Sequence, residues 1–302
     1  MPPVHRLPDL MTPMGLLTST LAAALGLPLS LFAAAAGQGM GALLGGGGWI
    51  GLCVGWDRQA WALVNQPVLN FASLPSATGY WLGSSIAPLL VAALAIPLSL
   101  RLRSLTTQLV VVQWAWMAAV IGVSYQAALA LQRSQIVRWL EFRGLPPELG
   151  WAGVVLAAVA VVPIVLRLIA IARITRYHLS RARRLTLVGL HLLPAPLAWA
   201  ATTTMIRDAI EVAAIVAVGI PILVVLAVAW IGYPAPLTHP VKPVRASALA
   251  YLSLILVLAW SGFWIAGRPL PEGRVAAVQW GRESSYNNIH PWMEPLRAPW
   301  LE

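Results

Sequence analysis

Residues 167–184 read RLIAIARITRYHLSRARR, with Arg167, Arg173, Arg176, Arg181, Arg183, Arg184 and His178 but no acid. Long apolar runs flank this stretch on both sides. Clustered Arg resists translocation, and the cytoplasmic leaflet is anionic, so a basic loop between membrane spans stays inside. That placement orients every other segment of the chain.

The 302-residue chain is 59% hydrophobic and 10% charged. Soluble domains carry about 25% charged residues, so the composition predicts an all-α, polytopic transmembrane helix bundle. On a soluble protein the formal net charge of +10 would suggest nucleic acid. Here the basic residues border apolar runs, which points to the membrane surface instead. Lys242 is the only lysine, so no intramembrane lysine is available for a retinal-type Schiff base. Cys53 is the only cysteine, which excludes an intrachain disulfide and a cysteine-based metal site.

Hydropathy predicts about seven spans: 15–36, 79–100, 105–131, 151–168 (extending to 171), 185–204, 209–231 and 246–266. Each reaches the roughly 17 residues that the hydrocarbon core requires. The stretch FAAAAG at 32–37 has the small residues of a signal-peptidase site, but the first span is expected to be a retained anchor. Pro194 and Pro196 predict a kink in the fifth span, and Pro221 one in the sixth, because proline removes a backbone donor. The predicted organisation is a helical domain over 1–266 and an outer tail over 267–302. Trp280, Trp292 and Trp300 in that tail are candidates for docking a partner.

Charge supports the orientation. With 167–184 inside, the inside segments also include 1–13, 101–104 and 238–246, and Asp9 is their only acid. The positive charge then gathers inside and the outer segments are near neutral. The expected location is a cytoplasmic membrane of bacterial type, N-terminus inside and C-terminus outside.

Residues 37–55 read GQGMGALLGGGGWIGLCVG, with Gly37, Gly41 and Gly45 four apart and Gly47, Gly51 and Gly55 likewise. On a helix such rows form a groove that admits another backbone. Gly45–Gly48, however, weaken any helix by about 1 kcal/mol per glycine. A re-entrant or irregular segment is expected, and a further full span, the eighth, is the alternative. Beyond it, Trp61, Val64, Val68 and Phe71 have helix-like spacing suited to the interface plane.

Chemistry has few candidates. Arg207, Asp208 and Glu211 form the most polar point near a span; charges there would serve a substrate or proton site, or simply cap and pair within a helix start. His191, two turns into the fifth span, is a candidate haem or pigment ligand or proton relay. Its plainer role is a buried histidine bonded to a neighbouring carbonyl. Trp114 and Trp116 lie deep in the third span, where packing against a helix is the simpler reading. HExxH, GxSxG and GxxxxGK[ST] motifs are absent, no Ser/His pairing is evident, and no internal repeat appears.

The expected function is therefore a non-catalytic integral subunit, or an assembly or stabilising factor, of a larger membrane protein complex. The alternative is a small-molecule or lipid transporter, with Arg207, Asp208 and Glu211 at its mouth. Third is a lipid-handling enzyme built on outer-face Asp57, Arg133, Arg138 and Arg143. The sequence leaves the cofactor open, with a haem or pigment at His191 the one candidate, and no nucleic-acid partner is expected.

Overall fold

The structure is a computed structural model, and it describes residues 13–55, 60–64, 74–102, 105–131, 144, 146, 148–175, 189–196, 199, 269–270 and 273–279. Helices dominate: α1 (Pro13–Leu44), α2 (Leu74–Arg101), α3 (Leu105–Leu131), α4 (Leu149–Val159) and α5 (Val162–Thr175). Four stretches, Leu16–Leu44, Thr78–Arg101, Thr107–Ala127 and Gly150–Leu168, are long and apolar enough to cross a membrane. The chain is an integral membrane protein. The spans expected at 209–231 and 246–266 lie outside the described residues.

The helix richest in polar groups takes the centre. Gln108, Gln113, Ser124 and Gln126 of α3 are all buried. Polar groups have no partner in lipid, so the helix that carries them is driven inward. The α3 window is 83% buried, against 33% for α1 and 28% for α2. The outer helices turn Leu and Ile to the bilayer: Ile86, Leu90, Leu94 and Leu98 form an exposed stripe on α2.

Glycine sets the closest contact. A Cβ at Gly37 or Gly41 of α1 would collide with the backbone of Gly83 or Gly79 of α2, and the reverse is equally true. Two helix backbones meet there without intervening side chains, the geometry small residues permit in membranes.

The α4–α5 unit breaks at Ala160 and Val161, just before Pro163. Proline has no N–H to continue the helical ladder. Ile164 and Val165 both donate to the Val161 carbonyl, at 3.1 Å each, and so restart the helix.

Two expectations need correction here. The chain is not wholly helical: strands β1 (Trp49–Gly55), β2 (Ala60–Val64), β3 (Pro269–Leu270) and β4 (Gly273–Gln279) form a sheet in the order β2-β1-β4-β3. Residues 37–55 are also neither an additional span nor uniformly irregular. α1 continues through Leu44 and stops at Gly46, whose φ is +85°. Gly46 N donates to Leu43 O at 2.9 Å and Gly47 N to Ala42 O at 2.8 Å, the paired bonds of a Schellman cap. Gly51 and Gly55 consequently stand in β1 rather than on a helix. Residues 60–64, expected in an interfacial helix, form β2, with Ala62 and Val64 buried two apart as a strand requires.

β1 pairs antiparallel with β2 on one side and with β4 on the other, Gly51 opposite Gln279 and Gly55 opposite Val275. β4 belongs to the predicted tail, so part of that tail is bonded to the hairpin that follows α1. The sheet is held against the helices through β2: Ala62 N donates to Gln38 Oε1 at 2.9 Å, and Tyr80 Oη approaches Ala62 O at 3.5 Å.

Candidate functional site

Two polar clusters are buried toward the end of the bundle opposite the sheet. The first surrounds the interrupted helical stretch at 189–196, in the segment expected to be the fifth span. Residues 189–192 and 194–196 are helical, with the interruption at Leu193. In a regular helix Leu192 O would accept from residue 196, but Pro196 has no N–H. Trp116 of α3 supplies the missing donor, Nε1 to Leu192 O at 2.8 Å. Gln113 Nε2 likewise donates to His191 O at 2.7 Å. Two side chains of α3, three positions apart and so on one helical face, thus satisfy carbonyls beside the break.

The His191 ring completes this cluster. Its Nδ1 is hydrogen-bonded to Ser19 Oγ of α1, and Gln113 Nε2 reaches the same oxygen at 3.3 Å. The sequence showed no Ser/His pairing; the fold makes one across 172 positions. A hydroxyl bonded to an imidazole is the first requirement of an activated nucleophile. Here, however, Ser19 is 0% and His191 3% exposed, and Gln113 also occupies the hydroxyl. The contact joins α1, α3 and the 189–196 stretch, and gives a substrate no approach to the oxygen.

The second cluster is built on Arg167. The sequence counts this residue with the basic loop, but the structure places it inside α5, 6% exposed. Its Nε donates to Ser99 Oγ at 3.1 Å, and Nη2 to Ser99 O at 3.3 Å and to Gln108 Oε1 at 3.0 Å. Ser99 is in the last turn of α2, where carbonyls lack helical partners and the helix dipole is negative. A guanidinium there satisfies a carbonyl and meets favourable potential. Gln108 Nε2 in turn holds Leu102 O at 2.6 Å, just past the helix end. The two clusters are about 7.5 Å apart along α3, five residues at 1.5 Å each.

A third bond lies at the sheet end, where Ser85 Oγ donates to Gln126 Oε1 at 2.8 Å. The three buried glutamines of α3 therefore reach three different sets of neighbours. Interhelical bonds of this type contribute about 0.6–2 kcal/mol each.

Of the residues singled out from sequence, His191 is in a polar cluster, and Gly37 and Gly41 are at the α1–α2 contact. Gly45 faces Ser76, Gly47 is in the cap, and Gly51 and Gly55 are in β1. Arg207, Asp208, Glu211, Trp280, Trp292 and Trp300 lie outside the described residues, so the structure brings none of them to a site. Ser19, Ser99, Gln108 and Gln113 escaped the sequence reading, which weighed charges and histidines. The signal that could have found them was uncharged glutamine inside apolar spans, since such groups turn inward and seek partners. Among the described residues no group of three or more His, Cys, Asp and Glu comes together to hold a metal ion. Compared with known proteins, the chain matches no family model, no curated sequence and no solved structure.

Proposed function

We propose that the protein is a non-catalytic integral subunit, or an assembly and stabilising factor, of a larger membrane protein complex. The observation behind this reading is the use made of its buried polar groups. Ser19, His191, Gln113, Arg167 and Gln108 all bond across from one element to another. They hold helices together, and the Ser–His contact is sealed from substrate. β4 anchors the start of the tail on the sheet, and Trp280, Trp292 and Trp300, the candidates for docking a neighbour, follow it in sequence.

The seven-span arrangement is part of this proposal. β1 and β4 are paired, so residues 55 and 273 are on one side of the bilayer. α2, α3 and the α4–α5 unit cross three times between them. On this reading the three spans expected over 185–266 return the chain to the sheet side, which their odd number allows. With the basic end inside, the sheet and tail face outward.

Extraction in a gentle detergent followed by native mass measurement tests the function. A complex with a second membrane protein is expected, lost when 280–302 are deleted. A monodisperse, partner-free monomer at native expression levels would overturn the reading.

The kink at Leu193 favours a second reading, a transporter, because broken spans line pathways in many carriers. Flux into liposomes that survives Asp208→Asn and Glu211→Gln unchanged would remove it.

A further inference from the structure

The bonds around His191 have a direction as well as a geometry. Gln113 Nε2 faces two acceptors, His191 O at 2.7 Å and Ser19 Oγ at 3.3 Å. An amide nitrogen has two N–H groups, one for each, and the His191 carbonyl fixes which end of the amide lies there. Ser19 Oγ therefore accepts from Gln113 and has its own proton to place. Its other partner among the described residues is His191 Nδ1, and at 0% exposure the hydroxyl has no bulk water to turn to. Nδ1 is thus an acceptor, and the ring is neutral with its proton on Nε2.

This chain of donors, from Gln113 to Ser19 to His191, leaves one atom over. Gln113 Oε1 is buried and has no hydrogen-bond partner among the described residues, a costly state for an acceptor. It belongs to the same amide that reaches Ser19, half a revolution of the last side-chain torsion away from the hydroxyl.

We propose that the cluster is a one-proton switch acting on the broken helix at 189–196. When His191 Nδ1 takes up a proton, the imidazole becomes imidazolium and Nδ1–H donates to Ser19 Oγ. The hydroxyl then turns its proton to an acceptor, and Gln113 Oε1 is the unused one in the cluster. To receive it the amide rotates, Oε1 takes the place of Nε2, and the bond to His191 O is lost. One proton enters, one positive charge is gained, and no covalent bond between heavy atoms changes. The lost bond is beside the interruption at Leu193, where Pro194 and Pro196 supply no N–H, so the stretch loosens there.

The surroundings leave control of the cluster to this one ring. α1 has no charged or titratable side chain, and α3 has only Tyr125, twelve residues beyond Gln113 or about 18 Å along the helix. His191 is the only titratable residue in 189–196. α2 contributes Tyr80, at the sheet end, and exposed Arg101. α5 contributes Arg167, bonded to Gln108, with Arg173 further along the helix. No acid occurs in any of the five helices. The hydroxyl and amide of the cluster are therefore what receives the added charge.

The test uses the full chain in neutral detergent. With His5, His178, His239 and His290 changed to Gln, NMR of nitrogen-labelled histidine reports His191 alone. A spin label on Gly189→Cys, in a Cys53→Ser background, reports mobility at the start of the broken stretch, where an added Cβ meets nothing within 4 Å. The neutral ring is expected as the Nε2–H tautomer, and acid should add the second ring proton. The label should gain mobility over the same pH interval. His191→Asn puts Oδ1 where Nδ1 stands and does not titrate, so its label should keep one line shape at every pH. Gln113→Leu removes the bond to His191 O outright, so its label should be mobile throughout. An Nδ1–H tautomer would overturn the proposal. So would a ring that stays neutral until the protein unfolds, or a label response to pH that persists in His191→Asn.

Discussion

At Leu192 a backbone carbonyl has lost its helical donor to Pro196 and gained one from the Trp116 indole. A buried acceptor left unpaired costs about 1–3 kcal/mol. Trp116→Phe keeps most of the ring but removes the donor, so it should destabilise by about that amount, read as a lower unfolding midpoint in detergent. Gly41 gives a second test at this scale. Gly41→Val puts a branched side chain where the Gly79 backbone already lies, and overpacking costs about 1–3 kcal/mol or more. At Gly189 an added Cβ would meet nothing within 4 Å, so Gly189→Ala should be neutral or slightly stabilising. The α1 partners of the glycine contact were legible, because Gly37 and Gly41 stand four apart. Gly79 and Gly83 have the same spacing, but they are set in a span whose Leu-rich outer face dominates its hydropathy.

Among the elements, the four spans that fall within the described residues were legible because about twenty apolar residues in a row leave few alternatives. The sheet was not. β1 contains Gly51 and Gly55, which at helical spacing resemble a packing row, and its second partner β4 lies more than two hundred positions downstream in a polar tail. Local pattern carries no information about such a pairing. Cys53 allows a direct check, since it is opposite Ala277 in the β1–β4 register. Directly opposed residues in antiparallel strands have Cα atoms about 4.5–5.5 Å apart, within the range a disulfide accepts. Ala277→Cys should crosslink to the native Cys53 under mild oxidation, seen as a mobility shift that reductant reverses. No crosslink would mean the strands are not so paired. The kink admits its own check. Pro196→Ala restores an N–H for Leu192 O, so the penalty of Trp116→Phe should shrink in that background, as a double-mutant cycle would record.

For the whole molecule the question is which end faces which compartment. The expected asymmetry of charge rests on composition and loop position alone. The depth of Arg167 was not, because a basic residue beside other basic residues reads as loop until a helix C-terminus is found to receive it. In a Cys53→Ser background, Glu148→Cys at the sheet end should react with an impermeant thiol reagent added to intact cells. Arg101→Cys at the other end should react only after permeabilisation. The reverse pattern would invert the topology.

The pairing of β1 with β4 also has a consequence for biogenesis. At synthesis rates of roughly 5–20 residues per second, the hairpin after α1 must wait on the order of ten to forty seconds for its last neighbour to emerge. Until then β1 presents an unfilled flank, and a prematurely terminated chain would present it permanently. Closure of that flank therefore reports that translation has run through residue 279.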